Sequence, residues 1–275
     1  MSALIISLHS PSTSAETHVL GSDDGHGARP VGTVLIERHL NGPRGSANGG
    51  FAAGSIAQHV DGDTVSVVLR SPVPLGRSLG VFDDGAGGVV VRDRRKDVAR
   101  AHPGALVAAD APLAPSFADA VHARERHPLV GVRHALSDCV VCGPRRADGM
   151  HVTPGPVVGH DDRLAAPWTV SGAFAHAGLA WYPAVWAALD CTSYPAAALE
   201  QGIICLLGTM TARVDRRPRV GEHLVVHSWT REARGRRYET SVAMVDARGD
   251  EIARADATWI ALRHQKAAAV ASRLR

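Results

Sequence analysis

One order of elements runs through this chain twice: a strand, a helix, then a meander of strands. In the first half, "VGTVLIERHL" (31–40) reads as a strand, "NGPRGSANGG" (41–50) as a turn-rich loop and "FAAGSIAQHV" (51–60) as a short helix of small residues. Stretches 64–74, 77–84, 87–95 and 104–111 follow. Their valines, alternating pattern and Gly/Pro/Asp punctuation predict antiparallel strands. In the second half, a helix is predicted within "AALDCTSYPAAALEQGIICLLG" (187–208), with Pro195 suited to its first turn. Strands are predicted over 209–219, 222–232, 236–247 and 250–263, and "DARGDE" (246–251) is a hairpin turn. "LGRSL" (75–79) matches "VGEHL" (220–224) at an offset of 145, and at that offset Val107-Ala108 lands on Ile252-Ala253. So long a period is not a solenoid repeat; it implies a duplicated domain.

The expected organisation is a loose, Ser/Gly/Asp/His-rich arm (1–30), a first unit (31–111), a linker carrying a Cys-x-x-Cys (112–165) and a second unit (166–265). With 275 residues, 45% of them hydrophobic and 21% charged, the chain reads as an ordinary globular protein. Four of its five tryptophans fall between Trp168 and Trp229, which assigns the larger core or a pocket to the second half. The net charge is +3, and the arginines occur in short groups such as "RDRR" (92–95) and "REARGRR" (231–237), as at hairpin ends. No one-sided basic surface or recognition motif points to nucleic acid, although a basic rim could attract a phosphate-bearing substrate. No apolar run nears the roughly 20 residues of a membrane span, and the N-terminus lacks the basic region of a secretory signal. Four cysteines in this length do not make a disulfide framework. The expectation is a cytoplasmic protein with reduced thiols.

The conspicuous chemical feature is Asp190. From Arg163 to Leu199 it is the one acidic residue, set in the apolar, aromatic stretch "AWYPAVWAALDCTSYPAAAL". An unpaired carboxylate is costly to desolvate, so it must be exposed, satisfied or used. Two readings stand side by side. Asp190 can cap a helix or turn by accepting from the Thr192 or Ser193 N–H. It can also act as base or nucleophile.

Three stretches resemble a known family: "ANGGF" (47–51), "CVVCGPRRADGM" (139–150) and "VGEHLVVHSWTREARGRRYETSVAMVDARGDEIARADATWIAL" (220–262). The sequence resembles the double-hotdog members of the acyl-CoA thioesterase superfamily over roughly 31–263. Its layout is similar to acyl-CoA thioesterase II, and its local motifs to the phenylacetic-acid-degradation thioesterases. The resemblance implies an α+β double hotdog, two units each with a curved antiparallel sheet wrapped around a central helix. It implies hydrolysis of an acyl-CoA or acyl-carrier thioester as substrate, with no cofactor and no metal. It places Asp190, at the start of the second unit's helix, opposite the helix start of the first unit. There Asn48 and the Gly49 and Gly50 N–H groups would polarise the carbonyl. Thr209, Thr211 and Thr258 flank the second helix, where family members often hold the water; Thr209 is taken as catalytic and Thr211 as substrate-binding. The terminal-strand position commonly filled by an amide is here Thr258 or a small residue. Trp186, Tyr194 and Trp181 would wall the acyl pocket. A double hotdog supplies both units of the usual dimer, so a monomer or a homodimer of double hotdogs is expected.

Other motifs are read more plainly. "GRSLG" (76–80) fits G-x-S-x-G, but prolines precede it and strand-like sequence follows, so Ser78 lacks the strand-to-helix elbow of a serine hydrolase. Cys139 and Cys142 make half a zinc site, Cys191 and Cys205 do not form the second pair, and His134, His151 and His160 lie nearby. His223 and His227 would sit about 13 Å apart on one strand face, too far for one metal. Arg213, Arg216, Arg217 and Arg219 suit either phosphates or a solvated strand end. Two alternatives to hydrolysis remain: a non-catalytic acyl-CoA-binding protein, and a hotdog dehydratase, for which His59 and His176 are the candidate histidines.

Overall fold

The computed structural model describes residues 28–128, 137–144 and 146–265. Thirteen strands and four helices follow one another as β1 (Pro30–Leu35), α1 (Gly49–Ala57), β2 (Thr64–Leu69), β3 (Ser78–Asp83), β4 (Val89–Asp93), β5 (Lys96–Pro103), α2 (Phe117–Glu125), β6 (Gly155–Pro156), β7 (Arg163–Thr169), β8 (Ala175–His176), β9 (Leu179–Ala180), α3 (Tyr182–Thr192), α4 (Ala196–Glu200), β10 (Cys205–Val214), β11 (His223–Arg234), β12 (Arg237–Val245) and β13 (Glu251–Ala261). Apart from the small β8–β9 pair, the strands form one sheet in the order β1-β3-β4-β5-β2-β10-β13-β12-β11-β7-β6. Every pairing in it is antiparallel.

That order reads alike from either side of its middle. Leaving aside β8, β9 and α4, each half runs from a strand through a helix to four further strands, and β1-β3-β4-β5-β2 is matched by β7-β11-β12-β13-β10. The two halves join where β2 pairs with β10, and Ser66 pairs there with Thr211. Those two residues are 145 apart, the offset read from the sequence, as are Ser78 and His223, which open β3 and β11. Equivalent residues facing each other across an antiparallel pair mark a pseudo-two-fold axis. The second sequence match does not hold: β5 is "KDVARAHP", and 104–111, expected to be a strand, lies outside the sheet. Val98, Ala99 and Ala101 are the buried residues of β5, set among Lys96, Asp97, Arg100 and His102.

α1 ("GGFAAGSIA") is apolar on nearly every side and correspondingly buried, as is α3 from Ala184 onward. Both lie in one core with Val65 and Val67 of β2 and Met210 and Ala212 of β10. They cross at small residues. A Cβ on Gly50 would stand 2.5 Å from the Ala187 Cα, and one on Gly54 2.7 Å from the Pro183 Cα. Only glycine lets the backbones approach so closely.

The second helix differs from expectation. α3 begins at Tyr182, with Pro183 in its first turn, and ends at Thr192. Pro195 instead precedes the short α4, and strand begins by Cys205. Two prolines suited a first turn, and the earlier one holds it. Asp190 therefore lies in the last turn of α3, not at its start. The segment 112–165 holds α2 and β6 and reaches into β7, so it contributes a helix and edge strands to the second half. Of the expected N-terminal arm, residues 1–27 lie outside the described residues.

Candidate active site

Asn48 is the N-cap of α1. Its Oδ1 accepts the Phe51 N–H at 2.9 Å, which leaves the amide nitrogen to point elsewhere. That Nδ2 donates to Asp190 Oδ2 at 3.1 Å, and the Gly50 N–H donates to the same oxygen at 2.8 Å. The first turn of a helix leaves such N–H groups without intrahelical partners. Here one helix start holds a carboxylate from the end of the other helix. Asp190 is 2% exposed, and its second oxygen, Oδ1, has no hydrogen-bond partner among the described residues. Burial pushes its carboxyl up to about 7; the Gly50 N–H opposes the rise, the Cys139 sulfur adds to it and the Asn48 amide opposes it. The side chain caps nothing in its own helix, because the Ser193 N–H donates to the Asp190 backbone carbonyl.

Asp190, Asn48 and Gly49 line a cavity of about 470 Å³. Apolar groups form much of its wall, among them Leu199, Ile203, Leu207, Trp259 and Ile260. Tyr194 lines it as expected, but its hydroxyl donates to the Ile203 carbonyl at 2.6 Å and accepts the Cys205 N–H at 2.8 Å. Its ring packs edge-on against Trp259, with centroids 4.9 Å apart.

Several expected members lie elsewhere. Trp186 is fully buried at the helix crossing against Gly54, and Trp181 packs on Phe174, so neither walls the cavity. Thr209 and Thr211 do not line it either. A bulge between Leu207 and Thr209 turns Leu207 toward Gly49, while Met210 and Ala212 take the core-facing positions. Thr211 bonds Ser66 across the junction at 3.0 Å, and Thr258 bonds Glu239 at 2.9 Å. Ser78 opens β3 on an exposed position, and the residues that follow it continue as strand, not helix. His59 sits against Gly32 and His176 is exposed on β8, so neither supports a dehydratase site; the histidine that lines the cavity is His127, whose Nδ1 contacts the Pro154 carbonyl at 2.8 Å. His134 lies outside the described residues.

Sequence reading missed one grouping. Cys139, Cys142 and Cys191 bring their sulfurs within 4.8 Å of one another at the cavity wall. Contacts with the Cys142 and Cys191 thiols hold the Cys139 thiol well below its ordinary range, against the effect of burial. Cys191 is 49 residues beyond Cys142, and no local spacing foretells the meeting; adjacency to Asp190 was the available hint.

No protein-family model matches the chain, and no curated protein matches it in sequence. Solved structures do match. A putative thioesterase from Novosphingobium aromaticivorans superposes with a TM-score of 0.55 at 12% identity, over 84% of this chain and 94% of that one. A putative thioesterase II from Thermobifida fusca gives 0.54 at 13%, over 86% and 95%. The tesB protein of Mycobacterium avium subs paratuberculosis gives 0.53 at 12%, over 84% and 92%. The fold is that of these thioesterases.

Among the described residues the carboxylate–helix pairing occurs once. With α1 and α3 superposed at their N-caps, Asn48 and Trp181, the place of Gly50 falls on Pro183 and that of Asp190 on Ala57. Proline has no N–H to give and alanine no carboxylate. One of the two pseudo-equivalent positions thus carries polar chemistry, and the other is packing.

Proposed function

We propose that the chain is a double hotdog that hydrolyses an acyl thioester, with Asp190 as general base. The observation that carries this reading is the buried Asp190 carboxylate. Its Oδ2 is fixed by Asn48 and Gly50, its Oδ1 has no partner among the described residues, and it stands at the wall of an apolar cavity. A base serves best with a pKa near the working pH, and burial brings this one to about 7. Oδ1 takes a proton from water as the water oxygen attacks the thioester carbonyl carbon. The C–S bond then breaks, and the thiol leaves with the proton. The Gly49 N–H, at the first helical position and beside the cavity, suits the developing oxyanion. The Gly50 N–H does not, because Asp190 already occupies it. The acyl group lies against the Leu199, Ile203 and Trp259 wall.

A second reading has one observation in its favour. Asp190 takes up two of the donors that a carbonyl would use, which also suits a protein that binds acyl thioesters without turnover. Hydrolysis measured over short, medium, long and aromatic acyl-CoAs separates the two. Steady release of free CoA supports the hydrolase, and saturable binding with no release supports the binding protein.

A further inference from the structure

We propose that Cys139, Cys142 and Cys191 form a binding site for a single thiophilic d10 cation, zinc(II) or copper(I), at the wall of the Asp190 cavity. This inference does not depend on thioester hydrolysis. Three observations carry it.

The first is sulfur geometry. The three sulfurs lie within 4.8 Å of one another, and Cys139 and Cys191 are 3.8 Å apart. Metal–sulfur bonds of about 2.3 Å place neighbouring sulfurs roughly 3.8–4.0 Å apart in tetrahedral or trigonal coordination. Closing the remaining gap takes side-chain shifts of less than about 1 Å at those bond lengths. None of the three is in a disulfide.

The second is the loop that presents them. In "CVVCG" the Gly143 N–H donates to the Cys139 carbonyl at 2.9 Å, which closes the turn that carries Cys139 and Cys142. A Cβ on Gly143 would stand 2.5 Å from the Cys139 oxygen and 2.7 Å from that of Ser137, so the turn closes this tightly only with glycine. The turn thus presents Cys139 and Cys142 side by side, toward Cys191.

The third is the surrounding shell. The Asn48 amide nitrogen lies 3.6 Å from the Cys191 sulfur and 3.8 Å from that of Cys139. Two buried thiols and a half-buried one, with a donor aimed at the buried two, suit a soft cation, which thiolates select. Two ligands come from the 139–142 loop and the third from the last turn of α3, next to Asp190. The ion would therefore tie that loop to the helix end that carries the carboxylate. Binding converts three thiols to thiolates and releases their protons to solvent.

The test uses the full chain, reduced and stripped with chelator, in the absence of oxygen. Titration with cobalt(II), a spectroscopic stand-in for zinc, is expected to give a thiolate-to-metal charge-transfer band saturating at one ion per chain and bleached by zinc(II). A parallel copper(I) titration against a chromogenic chelator shows which ion is preferred. Cys139→Ser, Cys142→Ser and Cys191→Ser should each weaken binding at least tenfold, and Cys205→Ser should not. Should the variants misfold, thiol counting on the wild-type chain decides the matter. The bound ion must slow labelling of three of the four thiols, and chelation must restore it. A wild-type chain that gives no such band and no stoichiometric copper(I) binding overturns the proposal. So does unchanged affinity in Cys191→Ser, or four thiols that label alike with and without metal.

Discussion

Asp190 Oδ2 accepts the Gly50 N–H at 2.8 Å, although the two residues stand 140 apart in sequence. The bond joins the last turn of one helix to the first turn of another, and it exists because Gly50 lets the helices touch. Gly50→Ala should therefore cost stability as well as function. Its Cβ meets backbone, not a movable side-chain tip, so a loss of about 1–3 kcal/mol or more is expected in denaturant unfolding. Gly172→Ala, with open space around its Cβ and an ordinary φ, should change stability by less than about 0.5 kcal/mol.

Asn48 does two things with one side chain, and substitutions can separate them. Asn48→Ser keeps an oxygen able to cap α1 but removes the donor to Asp190. It should unfold within about 1–2 kcal/mol of wild type while losing most thioester turnover. Asn48→Ala loses the cap too and should be less stable by about a further 1 kcal/mol. Paired melting curves and initial rates check this.

Tyr194 is a wall of the cavity whose hydroxyl is already committed to the chain. Tyr194→Phe leaves the Cys205 N–H and the Ile203 carbonyl without that partner. The expected outcome is a stability loss of about 1–3 kcal/mol with kcat changed less than about threefold. A large fall in kcat at unchanged stability would show that the hydroxyl contacts substrate.

His227 gives the fold a defined acid weakness. Burial, with the Arg163 and Arg254 charges, lowers its pKa to about 4, against about 6.5 unfolded. The unfolded chain therefore binds a proton that the folded one refuses. Stability from this residue is complete above pH 6.5 and falls as the pH drops toward 4, by up to about 3 kcal/mol. His227→Gln should flatten the stability profile between those pH values, as read by denaturant unfolding at each pH.

Much of this was legible in the sequence. The repeated order of elements and the offset of 145 anticipated the matched strand orders of the halves, because hydrophobic alternation and turn residues act locally. "KDVARAHP" escaped notice because its strand character rests on small alanines between charges. The start of α3 was misplaced because Pro183 and Pro195 offered rival first turns. At the site, Asp190, Asn48, Gly49 and Gly50 were read as companions and lie together in the structure, but the Gly50 N–H serves Asp190, where the sequence reading gave it to a substrate carbonyl. The cysteine group and the apolar wall of Leu199, Ile203 and Trp259 depend on distant segments meeting, which no spacing records.

The most direct measurement compares kcat/KM of wild type and Asp190→Asn on the best acyl-CoA of the panel, with binding of that thioester measured alongside. Losing the base should lower kcat/KM by about 10²–10⁴-fold with binding retained. An Asp190→Asn chain that hydrolyses the thioester as fast as wild type would contradict the assignment of Asp190 as the catalytic base.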